Sequence, residues 1–283
     1  MPLVPMSQIV AAAQDASAGV AAFNILHLET IEALVAAAER ALHPLVLQVS
    51  ENCVRYHGAL EPIARSAIAA AEQSSEQIAV HLDHAEDEQL AREAVDLGFS
   101  SVMYDGAHLD FDDNVAATRR VADYAHQHGV FVEAELGEVG GKDGAHAPGV
   151  RTRPDEASAF VAATGVDALA VAVGSSHAMT DRTARLDLDL IAQLSDMVPV
   201  PLVLHGSSGV SDAHIREAIN AGIVKVNVST HLNKVFTGAV REVLDRAPAL
   251  VDSRKYLGFG RDAMSREAER LLRVIAETEG APT

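Results

Sequence analysis

Eight short apolar runs, each followed by a longer amphipathic stretch, recur from one end of this chain to the other. They are VAAFNI (20–25), PLVLQVS (44–50), IAVHLDH (78–84), SSVMYDG (100–106), VFVEAEL (130–136), ALAVAVG (168–174), PLVLHG (201–206) and VKVNVST (224–230). Runs this continuously apolar suit strands buried on both faces, as in a parallel sheet. Clear helical patterns lie between them: LETIEALVAAAERALH (28–43), DEQLAREAVDLG (87–98), DDNVAATRRVADYAHQHG (112–129) and SDAHIREAINAG (211–222). Gly98, Gly129, Gly165 and Gly222 fall where helix C-caps are expected, and Ser211 with Asp212 can cap a helix start. Eight such units, at intervals of roughly 20–40 residues, predict an α/β fold, a closed (β/α)8 TIM barrel. A doubly wound open sheet is the alternative. It usually needs fewer units and a glycine-rich turn after its first strand, and AFNILHLET supplies none. Residues 1–17 predict an extra N-terminal helix closing the bottom of the barrel. Residues 261–277 predict a C-terminal helical extension. No linker or low-complexity tract divides the chain, so 1–283 reads as one catalytic barrel domain.

The core must be built from Ala, Val, Leu and Ile, because aromatics make up only 4% of the 283 residues and Trp is absent. A formal net charge of −18 leaves no basic surplus for nucleic acid or an anionic membrane. A small phosphorylated ligand stays open to it, since backbone N–H groups and a few cations suffice. The single cysteine, Cys53, excludes a disulfide framework and a Cys-rich zinc site. No run reaches membrane-spanning length and the N-terminus lacks a signal-peptide pattern, so a soluble, cytoplasmic protein is expected.

In a barrel the C-terminal ends of the strands form one rim, where the chemistry sits. Asn24, Ser50, Asp83, His84, Asp105, Glu135, His177, His205 and Asn227 all lie near such ends. His84, His177 and His205 are the expected ligands of a catalytic zinc ion, three imidazoles leaving an open position. Asp83, beside the first of them, is expected to shuttle a proton to a substrate hydroxyl. His81 is expected to pack or support rather than ligate. Glu133 and Glu135 share a strand face; Glu135, nearer the rim, is an alternative metal ligand. The loops HGSSG and NVST, after strands seven and eight, suggest a phosphate site using Gly206, Ser208, Ser229 and Thr230. Residues 137–155, GEVGGKDGAHAPGVRTRPD, are too long for an ordinary barrel turn and read as a lid.

Many ordered blocks together resemble the class II, metal-dependent ketose-bisphosphate aldolases over essentially the whole chain. They include AFNILHLETIEAL, VLQVSEN, HLDH, MYDGAH, VEAELGEVGG, VDALAVAVGSSHA, VPLVLHGSSGV, VKVNVST and DSRKYLGFGRDAM. The resemblance implies zinc-dependent, reversible aldol cleavage of a fructose- or tagatose-bisphosphate-like ketose to dihydroxyacetone phosphate and an aldehyde. It gives His84, His177 and His205 as ligands, Glu135 as a further zinc-facing carboxylate, and Asp83 as the group acting on the C4 hydroxyl. Gly206, Ser208, Asn227 and Thr230 would hold the triose phosphate, aided by a monovalent cation (Na+ or K+). Asn24 and Ser50 join the substrate-facing rim. Arg182 stands where the family has a phosphate-approaching lysine, and Arg261 resembles an arginine reaching the far phosphate across a subunit boundary, which implies a homodimer or homotetramer. Three positions depart from the family pattern. Ala178 replaces a Gly after the second ligand. The lid has no Glu at its usual place, leaving Asp143 or His146 to move the proton on the triose carbon. Ser229 stands where fructose-type members often have Asp and tagatose-type members Ala. A metal-dependent sugar-phosphate isomerase or epimerase, and a non-catalytic sugar-phosphate-binding paralogue, are the alternatives.

Overall fold

The computed structural model describes residues 2–136, 151–176, 179 and 181–277. Eight parallel strands close into a barrel in chain order: β1 (Val20–Asn24), β2 (Leu45–Ser50), β3 (Ile78–Ala85), β4 (Ser101–Tyr104), β5 (Phe131–Leu136), β6 (Ala168–Val171), β7 (Leu202–Leu204) and β8 (Ile223–Val228). β8 pairs back onto β1, Ala22 standing beside Asn227. The barrel expected from the eight-fold alternation is present. Its connecting helices are α2 (Leu28–Ala41), α3 (Glu51–His57), α4 (Glu61–Gln73), α5 (Glu88–Asp96), α6 (Phe111–Gln127), α7 (Pro154–Thr164), α8 (Leu188–Met197), α9 (Asp212–Asn220) and α10 (Thr230–Arg246); α1 (Met6–Asp15) precedes them and α11 (Ser253–Ala276) follows. Ile31 and Leu34 of α2, Phe160 of α7 and Leu232 of α10 are fully buried in the layer between strands and helices. Each such side chain is worth roughly 1.5–3 kcal/mol of burial.

The bottom of the barrel is closed as expected. Met6, Ile9 and Val10 of α1 cluster with Val20, Ala22, Val46 and Ala79 from the first turns of three strands. Ser211 caps α9, its Oγ accepting from the His214 N–H at 3.3 Å. The C-terminal helix begins eight residues earlier than its amphipathic pattern indicates (253 rather than 261), with the Asp252 carboxylate accepting from the Arg254 N–H at 3.2 Å. Gly258 and Gly260, in the turn that follows, disguised this start. A Cβ at Gly260 would lie 2.8 Å from Val240 and 3.0 Å from Phe236, so the glycine lets α11 lie close against α10. Several strands are shorter than their apolar runs. The run 168–174 leaves the sheet after Val171, and Gly174 takes a φ of +116°.

Candidate active site

Two side chains of one strand reach the rim because β3 is irregular at its end. Alternation would aim Asp83 and His84 to opposite faces. Instead the pairing with β4 shifts register between Leu82 and Ala85, and His84 adopts φ +52°. A non-glycine residue in the left-handed region costs about 1–2 kcal/mol, so the rest of the barrel must hold it there. The result puts Asp83 Oδ1 3.9 Å from His84 Nε2, with both residues buried.

Around that pair the other strand ends converge. His84 Nδ1 lies 2.7 Å from Asp105 Oδ2, just past β4. His84 Nε2 lies 2.8 Å from Nδ1 of His205, just past β7, the two rings meeting edge to face. Glu135 Oε2 is 3.8 Å from His84 Nδ1 and 3.7 Å from His205 Nδ1. Potential donor atoms of Asp83, His84 and His205 lie within 4.8 Å of one another, as do those of His84, Asp105 and Glu135. His177, the remaining expected ligand, lies outside the described residues, as do Ala178 and the lid residues Asp143 and His146.

Asp83 is held from two sides. Asn24, at the end of β1, donates from Nδ2 to Asp83 Oδ2 at 2.8 Å, and Asn227 of β8 donates to Oδ1 at 3.4 Å. Gln48 Nε2 in turn donates to Asn24 Oδ1 at 3.5 Å. Burial opposes ionisation of Asp83, but neighbouring charge, from His84 above all and from Lys225, outweighs it and holds the carboxyl below its ordinary range. The outcome is an ionised carboxylate whose oxygens are held by the two amides.

The residues expected to bind phosphate lie beside this cluster. Gly206 follows His205 with φ +66°, and a Cβ there would lie 2.7–2.9 Å from the backbone of Ser176. No larger residue fits without moving one of the two loops. Ser208 Oγ accepts from the His231 N–H at 3.1 Å, tying the loop after β7 to the start of α10. Ser229 and Thr230 stand at that same helix start. Ser50 serves as the N-cap of α3, its Oγ accepting from the Cys53 N–H at 3.2 Å. The two expected arginines are engaged elsewhere. Arg182 donates from Nε to the Val210 carbonyl at 2.7 Å and pairs with Asp212 at 2.6 Å; Arg261, on α11, pairs with Glu32 of α2 at 2.9 Å.

Beneath the rim lies a second polar layer whose joint role was not legible in the strand patterns. Lys225 Nζ is 2.6 Å from Glu133 Oε2, and Glu133 Oε1 is 2.9 Å from His205 Nε2. His81 Nδ1 contacts Ser101 Oγ at 2.7 Å; burial, reinforced by Lys225, pushes the His81 imidazole down to about 3, so it stays neutral. His81 thus packs and supports, as expected. The available signal was spacing: Glu133 and Glu135, Lys225 and Asn227, and His81 and Asp83 each sit two apart, on one face of a strand.

The chain that carries this rim is matched in sequence and fold. The model of the family "Fructose-bisphosphate aldolase class-II" matches residues 4–280. The chain is 40% identical over 268 residues to the fructose-bisphosphate aldolase of Geobacillus stearothermophilus, covering 93% of each, and 38% identical to that of Giardia intestinalis, covering 94% of this chain and 90% of the relative. Among solved structures it superposes on the YdjI aldolase of Escherichia coli K12 with a TM-score of 0.86 at 29% identity, covering 99% of this chain and 100% of that one. A putative fructose-1,6-bisphosphate aldolase from Coccidioides immitis gives 0.85 at 30% identity, covering 95% of each. A buried imidazole and carboxylate cluster on a barrel rim, and a match running nearly end to end, lead to one assignment: this chain is a member of the class II fructose-bisphosphate aldolase family.

Proposed function

We propose that this chain carries out reversible aldol cleavage of a ketose bisphosphate, with Asp83 as the group that takes the C4 hydroxyl proton. The observation that carries this reading is a carboxylate held by two amides, Asn24 and Asn227, beside two facing imidazoles. The family implies a divalent metal, and the residues suit one: buried imidazole and carboxylate donors converge within 4.8 Å, the nitrogen and oxygen set that zinc accepts. His84 and His205 would hold zinc, with His177 as third ligand and Glu135 as a further carboxylate. When bound, such an ion polarises the ketose carbonyl as a Lewis acid.

The chain's own groups do the rest. Asp83 accepts the C4 hydroxyl proton as the C3–C4 bond breaks, and Asn24 and Asn227 keep its oxygens aimed. The triose carbon then takes a proton from Asp143 or His146. Gly206, Ser208, Asn227, Ser229 and Thr230 would bind the triose phosphate through backbone N–H groups and hydroxyls, with Na+ or K+ as counter-ion. Ser50 would offer its hydroxyl proton to substrate while its oxygen caps α3. Arg182 would need to exchange Asp212 for phosphate, and Arg261 would serve the site of a neighbouring copy in a homodimer or homotetramer. Residues 1–283 would work as one catalytic unit. No described helix is long and apolar enough to cross a membrane.

The test is release of dihydroxyacetone phosphate from fructose- and tagatose-bisphosphates by metal-loaded protein. Release that a chelator abolishes and zinc restores supports the reading. Isomerised sugar without triose phosphate would replace it with the isomerase alternative.

A further inference from the structure

The polar layer beneath the rim contains a buried cation that the proposed reaction does not use. Lys225 is 2% exposed and Glu133 fully buried, in a barrel interior whose register places Val20 of β1 beside Lys225. A barrel interior can be filled with aliphatic side chains at lower desolvation cost, so a paired charge there calls for a reason.

Hydrogen-bond direction supplies one. An ammonium only donates, so Glu133 Oε2, 2.6 Å from Lys225 Nζ, accepts. The same ammonium lies 3.5 Å from His81 Nε2, which leaves His81 Nδ1–H to donate to Ser101 Oγ at 2.7 Å. Glu133, held as a carboxylate, can only accept through its other oxygen as well. His205 Nε2, 2.9 Å from Oε1, therefore carries the ring proton. The opposite nitrogen, Nδ1, is left with its lone pair, and it is Nδ1 that faces His84 Nε2 at 2.8 Å. Asn227 Nδ2 also lies within hydrogen-bond distance of His205 Nε2, at 3.1 Å, but a nitrogen whose proton points at the acceptor-only Glu133 carboxylate has no lone pair left to accept with, so the amide donates to Asp83 at 3.4 Å. A protonated Glu133, or an amide in its place, could donate to Nε2 and move the ring proton to Nδ1.

We propose that the buried Lys225–Glu133 pair is a tautomer lock, which holds His205 with its proton on Nε2 and so presents Nδ1 to the metal. The inference rests on the reading of His205 as a ligand. Lys225 and Glu133 are then positioning residues acting through His205, and partners of this kind typically account for about 10- to 100-fold in metal affinity.

Long-range proton–nitrogen correlation spectra of the imidazoles in metal-free protein read the tautomer directly, and chelator competition at fixed pH reads zinc affinity. The expected wild-type state is His205 with Nε2 protonated, its signals assigned by their loss in His205→Gln. Glu133→Gln should shift the ring towards Nδ1–H and weaken zinc about 10- to 100-fold. Lys225→Met leaves Glu133 without its counter-charge and can fail to fold, so the double variant Lys225→Met/Glu133→Gln, with a neutral layer, is measured beside it and should behave like Glu133→Gln. Folded variants that keep the Nε2–H tautomer and bind zinc within about threefold of wild type would overturn the lock and leave the pair as core packing. If His205→Gln itself binds zinc normally, the ligand reading fails and the lock with it, and the intact tautomer spectrum distinguishes that failure from the first.

Discussion

The two ends of the barrel are made by the same strands and have opposite chemistry. Read upward along the inward positions, β1 goes from Val20 and Ala22 to Asn24, β2 from Val46 to Gln48, and β3 from Ala79 through His81 to Asp83. β5 goes from Phe131, packed against the apolar clusters, to Glu133 and Glu135. The lower end is shut by α1 and is apolar throughout its cluster, while the upper end holds the imidazoles and carboxylates. Two residues of strand, a rise of roughly 7 Å, separate a position that only packs from one that can react. The lower end supplies the rigidity on which the strained His84 and the polar layers stand.

That contrast breaks if a rim substitution disturbs stability or a floor substitution disturbs chemistry. The largest effect is expected at the rim. Asp83→Ala should lower triose phosphate release by about a thousandfold, within the range for loss of a general base, while the protein still binds zinc. Retained turnover would remove Asp83 from the reaction. At the floor, Met6→Ala should cost about 2–5 kcal/mol in urea unfolding, because a fully buried side chain is cut back and leaves a cavity. The kcat/KM of the molecules that remain folded should be that of the wild type. A matching loss in kcat/KM would show that the floor does more than hold the strands.

The barrel and its rim were legible for different reasons. Strand and helix periods alternate eight times, so the topology was readable without any single residue. Asp83, His84 and His205 were readable because polar side chains end apolar runs. Lys225 and Glu133 were harder: each sits inside a strand run and looks like a tolerated exception until the barrel closes and brings β5, β7 and β8 together. Asp105 was on the expected rim but had no assigned part, since its contact with His84 depends on the irregular end of β3. Arg182 was assigned by its place in the family pattern, and local sequence does not reveal that Asp212, thirty positions on, engages it. The start of α11 was hidden by glycines whose reason is a neighbouring helix.

A third set of charges, outside the barrel, sharpens the comparison because it is placed for stability. Arg270 of α11 bridges Asp212 and Glu267, and His231 Nε2 donates to Glu267 Oε1 at 2.7 Å, joining α9, α10 and α11. Burial works against ionisation of Glu267, but the hydrogen bonds from His231 and Arg270 outweigh it and bring the carboxyl from 4.5 down to about 2. A carboxyl whose folded pKa is depressed stabilises the fold above its unfolded pKa, and that contribution is lost as pH falls through the folded value. Unfolding of wild type and Glu267→Gln by urea should therefore differ by about 2 kcal/mol near neutrality, allowing for partial exposure. The difference should hold down to about pH 5 and shrink progressively between 4.5 and about 2. The network also reaches two residues expected to bind phosphate, Arg182 through Asp212 and Ser208 through the His231 N–H, so unfolding rather than turnover is the measurement that isolates the charge. A difference that stays constant down to pH 3 would mean that the Glu267 side chain stabilises by packing, and that charge outside the barrel matters no more to the fold than the apolar floor requires.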